Sequence, residues 1–246
     1  MSSHIMSKSS FVKGVQCTKA LYFYKYHYKL KDPVSPEKQA VFDRGTNVGE
    51  LARDLFPGGV DASPASPFEY AKSVELTRKL ISEGAPVIYE AAFIHEETLC
   101  ALDILVKSNV KWKAYEVKSS VNISDTYKLD SALQYYLITG SGVELDDISL
   151  INLDKEYTRR GPLDIRRLFK TTSVLNNVLN RQQYIREKIS GFTAMLKAKQ
   201  KPDISIGAHC SSPYTCDFKG QCWNEIPAKS VLNIIGLKAA TKFAMH

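Results

Sequence analysis

Hydrophobic and polar positions follow two different periods along this chain of 246 residues. Near the start, apolar residues recur every three or four positions, which is the period of a helix that buries one face. One such stripe, which predicts a first helix, consists of Cys17, Leu21, Tyr24 and Tyr28. The stretch 35–56 predicts a second helix, because Ser35 can cap its start and Pro36 suits its first turn. A third helix is predicted from about residue 68 to residue 83.

Shorter apolar runs follow, with the composition and turn-like gaps of strands. Three successive strands are predicted, at 86–94, 98–107 and 112–120. A helix then opens at Ser124 or Asp125 and closes at Gly140. The run "DDISLINLD" (146–154) predicts another strand, and residues 162–199 have a helical pattern. Helices mixed with strands in this order predict an α/β fold.

Charge and composition narrow the class of protein. Lysine and arginine number 33 against 26 acidic residues, a net charge of +7 that permits a polyanionic partner such as nucleic acid. No apolar run approaches the length of a membrane span, since even 99–106 is interrupted by Asp103. The polar start, residues 1–9, lacks the apolar core of a signal peptide and is interpreted as disordered or tag-like. We therefore expect a cytoplasmic protein with no membrane partner.

Asp103 interrupts an otherwise apolar predicted strand, where aspartate is disfavoured. Glu116, Val117 and Lys118 follow on the next strand. If the two strands are antiparallel neighbours, Asp103 and Glu116 converge, while alternation places Lys118 on the face of Glu116 and Val117 on the other. Two carboxylates suit Mg²⁺ or Mn²⁺. The alternative is a strand-end cap and a cross-strand ion pair that only stabilise the sheet.

Three cysteines late in the chain, Cys210, Cys216 and Cys222, are separated by gaps of five residues. Five cysteines without an export signal argue against disulfides and for metal or catalytic use. Four-cysteine ligation fits zinc or an iron–sulfur cluster, and structural zinc sites usually have shorter gaps. Cys100, in an apolar strand, is predicted to be a small buried hydrophobe.

The residues on these two strands resemble a known family. "ALD" ending at Asp103, "EVK" at residues 116–118 and a following helix with Gln134 are similar to the PD-(D/E)xK nuclease superfamily. More narrowly, they resemble its RecB-like branch, which includes iron–sulfur CRISPR-associated exonucleases. The resemblance spans roughly residues 10–227 and implies a restriction-endonuclease-like core, a central mixed sheet flanked by helices. It also implies that Cys17 joins Cys210, Cys216 and Cys222 in a [4Fe–4S] cluster that connects the N- and C-terminal segments.

The same resemblance implies roles for the site residues. Asp103 and Glu116 would be ligands of Mg²⁺ or Mn²⁺, with the carbonyl of Val117 as a further ligand. Lys118 would be the catalytic lysine, and Gln134 would help to position Lys118 and DNA.

This chain departs from the family pattern at two positions. Ile138 stands where the family's glutamine helix carries a tyrosine. Gly49 stands where an upstream helix carries a histidine ligand, and Glu50 beside it is either a substitute carboxylate ligand or a solvated helix residue. Glu90, on the preceding strand, is a further acid near the site.

A basic and aromatic stripe on the first helix suggests a weak nucleic-acid contact, because it combines phosphate neutralisation with stacking surfaces for single strands. Its members are Tyr22, Lys25, Tyr26 and Lys29. The alternative is that the tyrosines simply pack.

The residues together with the resemblance predict a metal-dependent deoxyribonuclease. The resemblance further implies an exonuclease on single-stranded DNA ends with a structural [4Fe–4S] cluster, and with protein partners in a DNA-processing complex. Two alternatives stay open: a non-cleaving nucleic-acid-binding or assembly module on the same fold, and a zinc-stabilised variant. The expected organisation is a core at 10–205, a cysteine segment at 206–227 and a tail at 228–246 that begins a further region.

Overall fold

The computed structural model describes residues 4–224, 226–227 and 229–245. The chain forms two compact units. The core unit contains the described residues up to Lys8 together with Ser35–Ser190, and the cysteine unit contains Ser9–Val34 with the described residues from Gly191 onward. In this division, residues 10–34 and 191–205, which the sequence assigns to the core, lie in the same compact unit as the cysteine segment.

The strands of the described residues are β1 (Met6–Ser7), β2 (Val60–Asp61), β3 (Val87–His95), β4 (Thr98–Ser108), β5 (Lys111–Lys118), β6 (Leu145–Leu153) and β7 (Phe169–Ser173). The helices are α1 (Lys8–Gln16), α2 (Thr18–Tyr26), α3 (Pro36–Arg53), α4 (Tyr70–Glu83), α5 (Asp125–Gly140), α6 (Ile165–Leu168), α7 (Leu175–Leu179), α8 (Gln182–Ala198), α9 (Lys219–Trp223) and α10 (Ala239–Met245). No helix among the described residues is long and apolar enough to cross a membrane.

Seven strands form one mixed sheet in the part of the chain that the structure describes, in the order β2-β3-β4-β5-β6-β7 with β1 beside β4. Strands β3, β4 and β5 are antiparallel neighbours, as the three successive apolar runs predict. Strand β6 is parallel to β5, and β7 is antiparallel to β6. The predicted α/β fold with a central mixed sheet flanked by helices is therefore confirmed.

Strands β4 and β5 separate partway along the sheet. Their pairing ends at Ile104 and Tyr115, and further along β4 the short strand β1 takes over the edge, with Met6 opposite Thr98. We call the opening between β4, β5 and β1 the fork. The interpretation of residues 1–9 as disordered or tag-like is corrected for the described ones, since Met6 is 1% exposed. A strand of two residues is too short to show a period of two.

The two faces of the sheet are covered by different helices. Val48 and Ala52 of α3 pack against one face, which includes Ile104 of β4. Alternation puts Asp103 and Glu116 on the opposite face, where α4 and α5 pack. The acids therefore lie on the α5 side of the fork.

Two helix starts were predicted from capping residues, and both are confirmed. The Oγ atom of Ser35 accepts a hydrogen bond from the Lys38 backbone N–H, and Ser124 accepts one from Tyr127, each at 3.3 Å. The helical interpretation of residues 162–199 is wrong in part, because β7 interrupts it. Strand β7 reads "FKTTS", and its β-branched threonines favour an extended backbone over a helix.

The cysteine unit has its own small core. Phe218 is fully buried and packs against Phe23 of α2. Asp217 beside it forms an ion pair with Lys13, and its backbone carbonyl accepts a hydrogen bond from the Asp32 N–H at 2.7 Å. These contacts hold two segments together that are distant in sequence.

Candidate active site

Asp103 and Glu116 stand opposite each other at the mouth of the fork. The last ladder pair is Ile104 with Tyr115, so the next residues on the two strands are these two acids. The Oδ2 atom of Asp103 accepts a hydrogen bond from the Val117 backbone N–H at 2.5 Å. The carboxylate thus satisfies a backbone donor that the separating strands leave without a ladder partner.

Glu116 is held by three donors and is almost completely buried, with 3% of its side chain exposed. Its Oε1 atom accepts hydrogen bonds from the Nζ atoms of Lys8 and Lys118, each at 2.7 Å. Its Oε2 atom accepts from Gln134 Nε2 at 2.6 Å. Burial alone raises the pKa of Glu116, but the two ammonium groups outweigh it, so the pKa lies below the ordinary range and the group is ionised.

Lys118 is shared between two carboxylates. Its Nζ atom lies 2.7 Å from Asp130 Oδ2 as well as from Glu116, and it stands 5.1 Å from the centre of the Tyr127 ring. Burial alone lowers the pKa of Lys118, but Glu116 and Asp130 outweigh it and raise the pKa. Lys118 therefore remains an ammonium group that supplies positive charge and donated protons.

Glu90 adds a third acid on a third neighbouring strand. The pairing of β3 with β4 on either side of it places Glu90 opposite Asp103. Its φ of +52° is in the left-handed region, which is uncommon for a residue other than glycine. Arg53 Nη2 lies 3.6 Å from its Oε1 atom. We call Glu90, Asp103 and Glu116 the acid cluster.

The acid cluster has the chemistry of a divalent-cation site. Burial raises the pKa of Asp103, and the neighbouring charges of Glu116 and Glu90 raise it further. Burial and mutual repulsion make it unfavourable for neighbouring carboxylates to ionise. A divalent cation that binds their oxygen atoms would offset this repulsion and stabilise the ionised forms. Among the described residues, no three His, Cys, Asp or Glu side chains are arranged to hold a metal ion as they stand. Glu116 instead accepts from ammonium and amide groups.

One predicted ligand lies away from the cluster. Glu50 is exposed on α3. Val48 and Ala52 face the core, and Glu50, two positions from each, points to the outer side of the helix because 3.6 residues make a turn. The structure brings Asp103 together with Glu90, and not with Glu50. Ile138, at the family's tyrosine position, is fully buried on α5.

Sequence reasoning missed Lys8 and Asp130. Asp130 lies four positions before Gln134, so the two share one face of α5, and this spacing could have revealed it. Lys8 had no such signal, because the strand that positions it is only two residues long. Val117, predicted to offer its carbonyl, packs its side chain against the opposite face.

Four cysteines of the cysteine unit line one cleft: Cys17, Cys210, Cys216 and Cys222. All are free thiols. Cys17 lies between α1 and α2 with an extended backbone, which corrects its predicted place on a helical stripe. Burial raises the pKa of Cys216 to about 11, and the other three thiols act in the same direction. Sulfur donors are the ligand type of zinc sites and iron–sulfur clusters, but among the described residues no three of these thiols are arranged to hold a metal ion as they stand.

Cys100 is separate from these thiols. It is 1% exposed in β4, and burial raises its pKa to about 12. Its predicted role as a small buried hydrophobe is confirmed.

The basic and aromatic stripe divides into two kinds of residue. The hydroxyl of Tyr26 donates a hydrogen bond to the Leu196 carbonyl at 2.5 Å, and the Tyr22 and Tyr26 rings lie 5.2 Å apart. Lys25 and Lys29 are exposed. The two tyrosines therefore pack, while the two lysines are open to solvent.

The sheet and the acid–lysine group at its fork define an α/β protein with a candidate divalent-cation site. No family model and no curated protein matches the sequence. Among solved structures, the chain is similar to the alkaline exonuclease LHK-Exo from Laribacter hongkongensis, at 14% identity and a TM-score of 0.46, over 79% of this chain and 88% of that one. The structure of LHK-Exo in complex with dAMP is similar at 14% identity and a TM-score of 0.45, over the same shares of both chains. The structure of SSO0001 is similar at 12% identity and a TM-score of 0.29, over 79% of this chain and 86% of that one. All three likenesses are distant, and the fold assignment rests on the sheet itself.

Proposed function

We propose that this protein is a divalent-metal-dependent nuclease that hydrolyses phosphodiester bonds of DNA. One observation carries the proposal: Asp103, Glu116 and Lys118 lie together at the fork with little exposure to solvent. Lys118 donates a hydrogen bond to Glu116, and the backbone N–H of Val117 between them donates one to Asp103. Burying charged groups costs free energy unless they are paired or coordinate a metal. The motif resemblance points to the same chemistry.

Asp103 and Glu116, with Glu90 beside them, are the residues that would hold Mg²⁺ or Mn²⁺. A bound divalent cation supplies Lewis acidity toward a phosphate oxygen and toward the attacking water. Gln134 fixes Glu116 through its 2.6 Å hydrogen bond and also donates to the Ala101 carbonyl at 3.2 Å. The amide therefore locks the orientation of the carboxylate before substrate arrives.

Lys118 has the task of neutralising charge. An ammonium held by two carboxylates is oriented in advance, so it can stabilise the negative charge that develops on the phosphate oxygens. Its raised pKa disfavours a role as general base. Asp130 acts through Lys118, as a positioning residue.

The finer substrate assignment comes from the motif resemblance. We propose exonuclease action on single-stranded DNA ends, in the cytoplasm and within a DNA-processing complex. The net charge of +7 and the exposed Lys25 and Lys29 suit a polyanionic strand.

We further propose that the four cysteines of the cleft hold a structural [4Fe–4S] cluster. The support is the set of four free thiols on one cleft, together with gaps of five residues that are wider than usual for zinc. Such a cluster would fasten residues near 17 to residues near 210–222 and stabilise the cysteine unit.

A cleavage assay tests the nuclease. The parent protein should degrade end-labelled single-stranded DNA with Mn²⁺ or Mg²⁺, and EDTA should stop it. Asp103→Asn and Lys118→Met should each lower the rate by roughly 10²-fold or more, the usual cost of removing a preorganised charge. Lys111→Gln is the matched control, since it removes an exposed lysine from the same strand as Glu116.

Two results would contradict the proposal. If the parent and Asp103→Asn cleaved DNA at equal rates, the assignment of Asp103 to the active site would be refuted. A parent that binds DNA but does not cut it with either metal would favour the non-cleaving module.

A further inference from the structure

Lys8 brings an ammonium group to the acid cluster from the N-terminal strand. Its Nζ atom lies 2.7 Å from Glu116 Oε1. Strand β1 fixes the approach, because Met6 is 1% exposed and pairs with β4 at Thr98. Lys8 follows β1 directly and so enters the fork from the side opposite to β5.

Two ammonium groups therefore share one oxygen of Glu116. Lys118 Nζ lies 2.7 Å from the same Oε1 atom, and Gln134 donates to Oε2. A carboxylate oxygen accepts about two hydrogen bonds, so Oε1 is fully used. A divalent cation held by Glu116 and Asp103 would also repel both ammonium groups at close range.

The two lysines differ in how firmly they are held. Lys118 has a second carboxylate partner, Asp130 at 2.7 Å. Within the described part of the chain, Glu116 is the carboxylate that pairs with Lys8. The side chain of Lys8 is 24% exposed against 15% for Lys118. Lys8 is therefore the ammonium group that can swing into water while its backbone stays anchored by β1.

We propose that Lys8 is an internal counter-ion of the acid cluster that a divalent cation displaces from Glu116, so that the N-terminal strand sets the metal affinity of the site. This inference rests on the proposed function, because it takes Asp103 and Glu116 as metal ligands. Without a cation, Lys8 compensates the charge of Glu116; with one, the ammonium is released toward solvent. Because the ion pair between Lys8 and Glu116 must break for the cation to bind, it lowers the affinity of the site for the metal.

Mn²⁺ binding without nucleic acid tests the displacement. Calorimetric titration of the parent, Lys8→Gln, Lys8→Arg and Lys111→Gln should show roughly tenfold tighter binding for Lys8→Gln alone, about the effect of one competing ion pair. Lys8→Arg keeps the charge and should bind like the parent. Asp103→Asn should bind far more weakly.

A second measurement uses the unaltered protein and does not depend on whether a variant folds. Amine acetylation followed by mass spectrometry should label Lys8 several-fold faster after Mn²⁺ is added, while Lys111 stays unchanged.

The outcomes separate this inference from the function on which it rests. If Mn²⁺ binds the parent and not Asp103→Asn, but Lys8→Gln binds equally and Lys8 labelling does not rise, the displacement is refuted and the metal site stands. If the parent binds no Mn²⁺, both fail.

Discussion

Single residues of the acid cluster determine how the metal-free protein responds to pH. Burial, and then the charges of Glu116 and Glu90, raise the pKa of Asp103 above the ordinary carboxyl range near 4. The folded state then binds this proton more tightly than the unfolded state. The contribution of Asp103 to the free energy of unfolding is therefore present at low pH. It is lost as the pH rises from about 4 through the pKa that Asp103 has in the folded state. The lowered pKa of Glu116 changes the stability only at pH values below the ordinary carboxyl range near 4.

Asp103→Asn should therefore gain stability relative to the parent as pH rises from 5 to 8 in EDTA. Asparagine can still accept from the Val117 N–H, and it does not titrate. We expect a relative gain of about 1–3 kcal/mol, seen as a melting temperature several degrees higher at pH 8. Parallel melting curves for the two proteins across this range would show that Asp103 is not perturbed.

At the scale of elements, the backbone of β3 carries strain at Glu90. A φ of +52° inside a strand costs a side-chain-bearing residue roughly 1–2 kcal/mol, a cost that glycine does not have. The strained residue lies opposite Asp103 in the sheet, so the strain is located at the candidate site.

Glu90→Gly should accordingly be more stable than Glu90→Ala, by about 1 kcal/mol in urea unfolding. Both variants lose the same carboxylate, so their difference reports the backbone. An ordinary strand position would give the opposite order, with alanine more stable by about 0.5–1 kcal/mol. The opposite order would therefore disprove strain at this position.

Elements of several turns or many residues were predictable, and short ones were not. Helices α3 and α5 were marked by Ser35 and Ser124. Strands β3 to β5 each have eight residues or more and were marked by their largely apolar stretches between turn-like gaps. Strands β1 and β2 have two residues each and carry no periodic signal. Lys8 was missed for that reason, whereas Asp103, Glu116, Lys118 and Gln134 were candidates already at the level of the sequence, and their roles stay a prediction.

At the scale of the whole molecule, two distant chain segments build the cysteine unit. Cys17 comes from residues 9–34, and Cys210, Cys216 and Cys222 come from the segment after Gly191. Composition alone could not show that these segments fold together, because their contacts join positions far apart in the chain, such as Lys13 with Asp217, which are 204 positions apart. A shared cluster would close that long loop and stabilise the unit.

Cys17→Ser should lower both the iron content of anaerobically purified protein and its melting temperature. Cys100→Ala is the informative comparison, since it removes a buried thiol of the core unit and should lower only the melting temperature. Iron, sulfide and zinc analysis with the visible spectrum gives the readout. Full iron content in Cys17→Ser would exclude Cys17 as a ligand. Colourless protein with stoichiometric zinc would show that the cysteines hold zinc and not an iron–sulfur cluster.

At this scale, the proposed nuclease requires that the fork between β4 and β5 bind the cation on which catalysis would depend. Anomalous diffraction from crystals soaked in Mn²⁺ tests it most directly, because it locates the ion without assuming any activity. We expect a peak about 2.1 Å from carboxylate oxygens of Asp103 and Glu116. A peak elsewhere, or ordered carboxylates with no peak between them at saturating Mn²⁺, would contradict it.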